Sequence, residues 1–210
     1  MKHTILAITL LISLLSSAQT AFDYGKVENN RYTNNFFNIQ VTVPGDWVVQ
    51  SKEQNEFLLE SGKKIVSGDD ANLKRALEAS QVNSAMLLTV FKYELGSSVP
   101  YNPSFVLMVE NVKMFPGVKT GANYLYGVRK ILKSSAMADA TIDEEFEKEV
   151  IDGVDFYKMN VQRELMGMSI RQTYYSTIKS GFALGFVITF DSEEHEKELK
   201  AFLKTFKNLK

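Results

Sequence analysis

The chain has 210 residues, of which 45% are apolar, 23% charged and 11% aromatic, and it contains no cysteine. Lys and Arg number 24 against 25 Asp and Glu, so the net charge is −1. These values exclude a disordered chain, a disulfide-stapled scaffold and a polytopic membrane protein, and the lack of a basic surplus argues against nucleic-acid binding.

The chain opens with Met1-Lys2-His3, and Thr4 to Leu15 are all apolar or small hydroxyl residues. Ser16 and Ala18 then stand at the −3 and −1 positions of a cleavage site. This is the pattern of a secretory signal peptide over 1–18, too short for the ~20 residues a membrane span needs. The expectation is an exported chain, periplasmic or secreted, with 19–210 as a single domain and no stable membrane span.

Residues 19–31 are polar and read as a loose lead-in. Phe37, Ile39, Val41 and Val43 alternate with polar residues, which predicts a strand with one buried face. Pro44-Gly45 is a turn, and Trp47 begins a second strand. Residues 52–61 and 69–80 read as short helices, the second capped by Asp69. Residues 85–93 form a strand that is apolar on both faces, and 95–102 form a loop. Asn102-Pro103 then supplies a cap and a first-turn proline, and Phe105, Val109, Val112 and Phe115 share one helical face. A second helix is expected over 120–134.

The last third reads as a meander of strands 141–151, 154–165, 168–179 and 182–190, with turns at Asp152-Gly153, Met166-Gly167 and Ser180-Gly181. In 182–190 the even positions are large and the odd positions small, so layers cover both faces. Asp191 and Glu194 form a capping box for a final amphipathic helix with Leu199, Phe202, Leu203, Phe206 and Leu209 on its stripe. The fold class is α+β: a three-layer α/β/α sandwich with a mostly antiparallel central sheet and a C-terminal amphipathic helix.

Two segments together resemble a known family. One is Tyr32-Thr33-Asn34-Asn35-Phe36-Phe37 through Val43-Pro44-Gly45-Asp46-Trp47; the other is the last strand running into Asp191-Ser192-Glu193-Glu194 and the helix ending at Phe206. They resemble the PsbP/DcrB/Mog1-like group of small α/β/α domains. The resemblance implies an exported or lumenal domain that binds or helps assemble larger complexes. It carries over no functional residue.

The catalytic inventory is thin. Past residue 18 the one histidine is His195, set among Glu193, Glu194 and Glu196, and no G-x-S-x-G elbow is present. Gly117-Val118-Lys119-Thr120-Gly121 misses phosphate-loop spacing and reads as a turn between helices. Met159, Met166 and Met168 offer thioethers for copper(I) but read more simply as packing residues. Glu145, Glu147 and Glu149 share one face of a strand, where they can meet a basic partner surface or discourage edge-to-edge aggregation. Tyr174 and Tyr175 point to opposite faces, one under each helical layer. Tyr124 and Tyr126 cannot both sit on the buried stripe of their helix, and one is free to line a cleft.

The sequence thus points to a non-enzymatic interaction or assembly module with an extracytoplasmic protein partner. Its candidate interaction residues are Glu145, Glu147, Glu149, Tyr101 and Tyr126. No residue is assigned a catalytic, metal or cofactor role, and no cofactor is expected. The alternative is a carrier of a small apolar or lipidic ligand, held between the sheet and a helix pair at 103–134. A carboxylate-dependent hydrolase is the third reading.

Overall fold

Alternation of bulky and small side chains in one central strand sets the frame. A computed structural model describes residues 22–81, 83–165 and 167–209. The signal-peptide reading of 1–18 lies outside them.

The chain runs β1 (Lys26–Glu28), β2 (Arg31–Asn34), β3 (Ile39–Thr42), β4 (Val48–Val49), α1 (Lys52–Ser67), α2 (Ala71–Gln81), β5 (Ser84–Phe91) and β6 (Ser104–Asn111). It continues with α3 (Gly121–Lys133), β7 (Thr141–Ile142), β8 (Glu147–Ile151), β9 (Val154–Leu165), β10 (Met168–Lys179), β11 (Phe182–Phe190), α4 (Glu193–Leu203) and β12 (Lys207–Asn208). The large sheet has the order β4-β5-β6-β11-β10-β9-β7, with β8 also on β9, and every pairing is antiparallel. A small sheet, β1-β2-β3-β12, ties the two ends of the described chain together. There the Thr205 hydroxyl accepts from Thr42 N–H and donates to Thr42 O, each at 3.0 Å.

In β11 the even residues Phe182, Leu184, Phe186, Ile188 and Phe190 are buried against the small sheet and α4. Phe206 stands edge-on to both Phe186 and Phe156, with ring centroids 5.2 and 5.7 Å apart. Phe202 of α4 lies 4.3 Å from the Phe105 ring. On the opposite face Leu125 and Leu132 of α3 pack on Ile142, Met159 and Val161. Tyr175 joins the first core and Tyr174 packs on the second, one under each layer as the alternation requires. The layers are therefore α1, α2 and α3, then the large sheet, then α4 with the small sheet.

The hairpin turns follow the sequence closely. Asp152 and Gly153 have φ of 46° and 77°, and Ser180 and Gly181 have 54° and 79°. Two successive positive φ values give the turn whose twist matches the flanking strands.

Several expectations change. Residues 104–111 are not the first helix of a pair but strand β6, paired with β5 on one side and β11 on the other. Phe105, Leu107 and Val109 are buried on one face, and Met108 faces the helical layer on the other, so a run of apolar residues suits a central strand. Asn102 caps no helix; its side-chain amide bonds both Tyr93 N–H and Tyr93 O and closes the loop before β6. The lead-in contains the β1–β2 hairpin. Strand 141–151 is broken into β7 and β8, because the Asp143 carboxylate takes the Asn160 N–H and Arg129 holds the carbonyls of Asp143 and Glu144. Two caps move by one residue: Asp70 rather than Asp69 caps α2, and Ser192 rather than Asp191 caps α4.

Thr120 and Asn123 form a reciprocal capping box that starts α3, and the next residue, Gly121, lies directly on β10. A Cβ at Gly121 would overlap the Ser176 carbonyl oxygen, whereas one at Gly127 would meet nothing within 4 Å. Gly121→Ala is expected to cost about 2–3 kcal/mol, because main chain must move apart. Gly127→Ala is expected to stabilise the protein by about 0.5–1 kcal/mol. Urea unfolding of the two variants checks this pair of opposite signs.

Candidate functional site

The helical layer does not cover the sheet evenly. α3 packs on β9 and β10, and α2 leans on β5. In α1, by contrast, Ser67 is the buried residue, while Phe57 and Ile65 are 68% and 58% exposed. Between α1, α2, β6 and α3 lies a cleft of about 420 Å³. Leu59, Val66, Met108, Val128 and Ile131 give it apolar walls. Ile131 and Phe115 at its rim are 40% and 50% exposed.

Polar groups interrupt the apolar lining: Lys63, Ser84 and Asn123, and a hydrogen-bonded pair of Tyr124 and Glu110. The Tyr124 hydroxyl donates to a Glu110 carboxylate oxygen at 2.7 Å. Burial, reinforced by the Glu110 charge, raises the Tyr124 hydroxyl well above its ordinary range. Tyr174 also lines the cleft and donates to Gln172 Oε1 at 3.0 Å; burial pushes it up to about 12. Tyr124 lines the cleft, whereas Tyr126, the tyrosine expected at an interaction surface, lies outside it. The partner of Tyr124, Glu110, was hidden in a segment read as helix.

The expected interaction residues separate into two groups. Tyr126 is half exposed on α3, with Arg129 and Lys130 over its ring at 5.4 and 5.5 Å. Arg129 also covers Phe146 at 4.9 Å, so Tyr126 and the acidic run come together through one guanidinium. Glu145 is exposed on the bend between β7 and β8. Glu147 and Glu149 lie on β8 and both face Lys158 of β9, at 2.9 and 3.8 Å. Lys148 pairs with Asp155 at 2.6 Å. The two carboxylates of β8 thus share one lysine across the strand pair. Tyr101 belongs to neither the cleft nor this patch; burial and the Asp191 carboxylate raise its hydroxyl.

The remaining motifs resolve into structure. His195 Nδ1 lies 2.6 Å from Asp191 Oδ1, in the first turn of α4. Gly117 to Gly121 joins a strand, not a helix, to α3. Met159 is fully buried opposite Tyr174, whereas Met168 pairs with Leu165 six residues further along β10. At strand rise that is ~20 Å, too far for one metal ion to hold both sulfurs. Met166 lies outside the described residues. Among the described residues no cluster of three or more His, Asp or Glu could hold a metal, and no helix is long and apolar enough to cross a membrane.

No family model and no curated protein matches the sequence. Solved structures do show similarity. The PsbP protein (CyanoP) of Synechocystis covers 91% of this chain and 97% of its own, at 12% identity and a TM-score of 0.48. LpqN of Mycobacterium tuberculosis, described as involved in cell envelope biogenesis, covers 80% and 82% at 10% identity and a TM-score of 0.41. A protein of unknown function from Pseudomonas aeruginosa, described as a proposed regulator, covers 54% and 78% at 16% identity and a TM-score of 0.38. The likeness is one of backbone course.

The buried tyrosines give the fold a defined alkaline limit. A hydroxyl raised on folding contributes stability fully present below the ordinary tyrosine value of ~10 and lost as pH rises toward the folded value. Tyr124 and Tyr174 are both raised, Tyr174 to about 12. The thermal midpoint is expected to fall over that window. Tyr124→Phe is expected to make the fall shallower, which unfolding scans from neutral to alkaline pH read directly.

Proposed function

We propose that the chain is a non-enzymatic binding module of an exported compartment, and that its cleft takes a small amphipathic ligand. The observation that carries the reading is the cleft itself. Its volume of about 420 Å³ lies within the range of small-molecule sites, and its mostly apolar walls carry a few polar groups, among them the Tyr124–Glu110 pair and Lys63, as such sites do. An apolar body would lie against Leu59, Met108, Val128 and Ile131. A single polar end would meet Tyr124 and Glu110. This keeps the carrier reading of the sequence and relocates its site: the ligand lies between one helix of the expected pair, α3, and the α1–α2 hairpin, over β6. Export is supported by the leader-like pattern of residues 1–18.

Glu147 and Glu149 are already engaged by Lys158, which favours the cleft over the acidic strand as the working surface. His195, held by Asp191 beside the Ser192 cap, suits a helix terminus better than hydrolysis.

Gly127 provides a clean test, because it lines the cleft and has open space at its Cβ position. Gly127→Leu is expected to fold at least as stably as the parent and to bind the fluorophore N-phenylnaphthylamine about tenfold more weakly or worse. Organic extraction of natively purified protein is expected to release one stoichiometric amphipathic compound. Equal fluorophore binding by parent and variant would defeat the proposal.

A further inference from the structure

A second cleft lies on the other side of α1, and its chemistry differs. Its volume is about 390 Å³. Tyr24 and Val27 stand on one side, Asn55 and Leu59 of α1 on the other, and β5 runs along its floor. Leu59 is a wall common to both clefts.

The floor is a strand edge. β4 pairs with β5 only at Phe91 and Val90, and then leaves the sheet as Gln50 N–H donates to Thr89 O at 2.9 Å and Ser51 caps α1. Among the described residues no strand lies beside Ala85–Leu88 on that side. The stretch offers about 13 Å of open edge, with a bulge at Leu87, and its unpaired main-chain groups can pair with another extended chain. Neighbouring side chains supply the second observation. Gln50 is 5% exposed, and its Oε1 is buried with no hydrogen-bond partner. Its Nε2 donates to Val48 O at 3.0 Å, and because that carbonyl can only accept, Oε1 is fixed as the acceptor. Asn55 Oδ1, also in this cleft, is likewise buried and unpartnered. Unpaired buried acceptors are rare in native interiors.

We infer that this cleft is a peptide-docking site, in which an extended segment of a partner protein adds to the free edge of β5 and donates main-chain N–H groups to Gln50 and Asn55. Hydrocarbon would leave both oxygens and the strand edge unpaired. A peptide main chain carries donors and acceptors at strand spacing, and its alternate side chains suit the apolar walls. The site shares Leu59 and Ser84 with the amphipath cleft but is separate from it in its test, because Gly127 lines only the amphipath cleft.

The probe is an acetylated, amidated pentapeptide of alternating valine and threonine, followed by amide NMR on the full chain past residue 18. Saturable shifts are expected at Ala85–Leu88 and at the Gln50 side-chain amide, with slowed hydrogen exchange along the edge. Gln50→Met is expected to weaken peptide binding about fivefold to tenfold, the loss of one hydrogen bond to a neutral group. Asn55→Leu is expected to do the same while raising the thermal midpoint without peptide; a purely structural Asn55 would lower it. Gly127→Leu is expected to leave peptide binding unchanged, so failure of the amphipath reading does not touch this one. Absent shifts at Ala85–Leu88 would overturn the proposal, as would equal binding of a peptide N-methylated along its main chain.

Discussion

The central constraint is a sheet that must be dry on both faces. β11 answers it with one strand: Phe182, Leu184, Phe186, Ile188 and Phe190 on one side, Ala183, Gly185, Val187 and Thr189 on the other. The bulky side fills the space beneath α4 and the small sheet, where Phe156 and Phe206 interlock with Phe186 and Phe202 packs on Phe105 of the neighbouring strand. The small side lets a helical layer approach closely, to the point that the first residue of α3 rests on β10 main chain. Everything else follows from the fact that this helical layer is well seated only at α3. The α1–α2 hairpin spans the remaining sheet on few buried apolar residues, so space is left on both sides of α1. Both candidate sites are the result of that incomplete cover.

The meander was the most legible part of the sequence. Strands 154–165, 168–179 and 182–190 and the two turns Asp152-Gly153 and Ser180-Gly181 emerge with the boundaries their patterns implied. Two residues at positive φ in a row are a strong local signal, and alternation over nine or more residues has no helical competitor. Segment 104–111 shows the opposite case. Apolar residues at almost every position satisfy a helical face and a two-sided strand equally, so periodicity cannot separate them, and the preceding Asn-Pro favoured the helix. What decided the matter was non-local: two strands, β5 and β11, with apolar faces to extend. The same blindness hid the site. Glu110 gains its meaning only when β6 carries it beneath Tyr124, and Gln50 only when β4 ends early.

The acidic run illustrates how pairing changes a reading. Five carboxylates within 143–149 look like a charged patch when read along the chain. Across β8 and β9 they meet Lys158, and across to α3 they meet Lys133 and Arg129. Exposed pairs of this kind add little to stability, yet they keep an edge strand soluble and fix the bend at 143–146. Charge that is visible in one dimension is partly offset in three.

The pairing of β12 with β3 has a temporal consequence. Thr42 and Thr205 are 163 residues apart, and the small sheet joins them. A chain emerging with its N-terminus first cannot finish that sheet, nor cover the aromatic face beneath it, until residues 207–208 are free. Long-range closure of this kind is slow, because loop entropy is lost before the contacts that offset it can form.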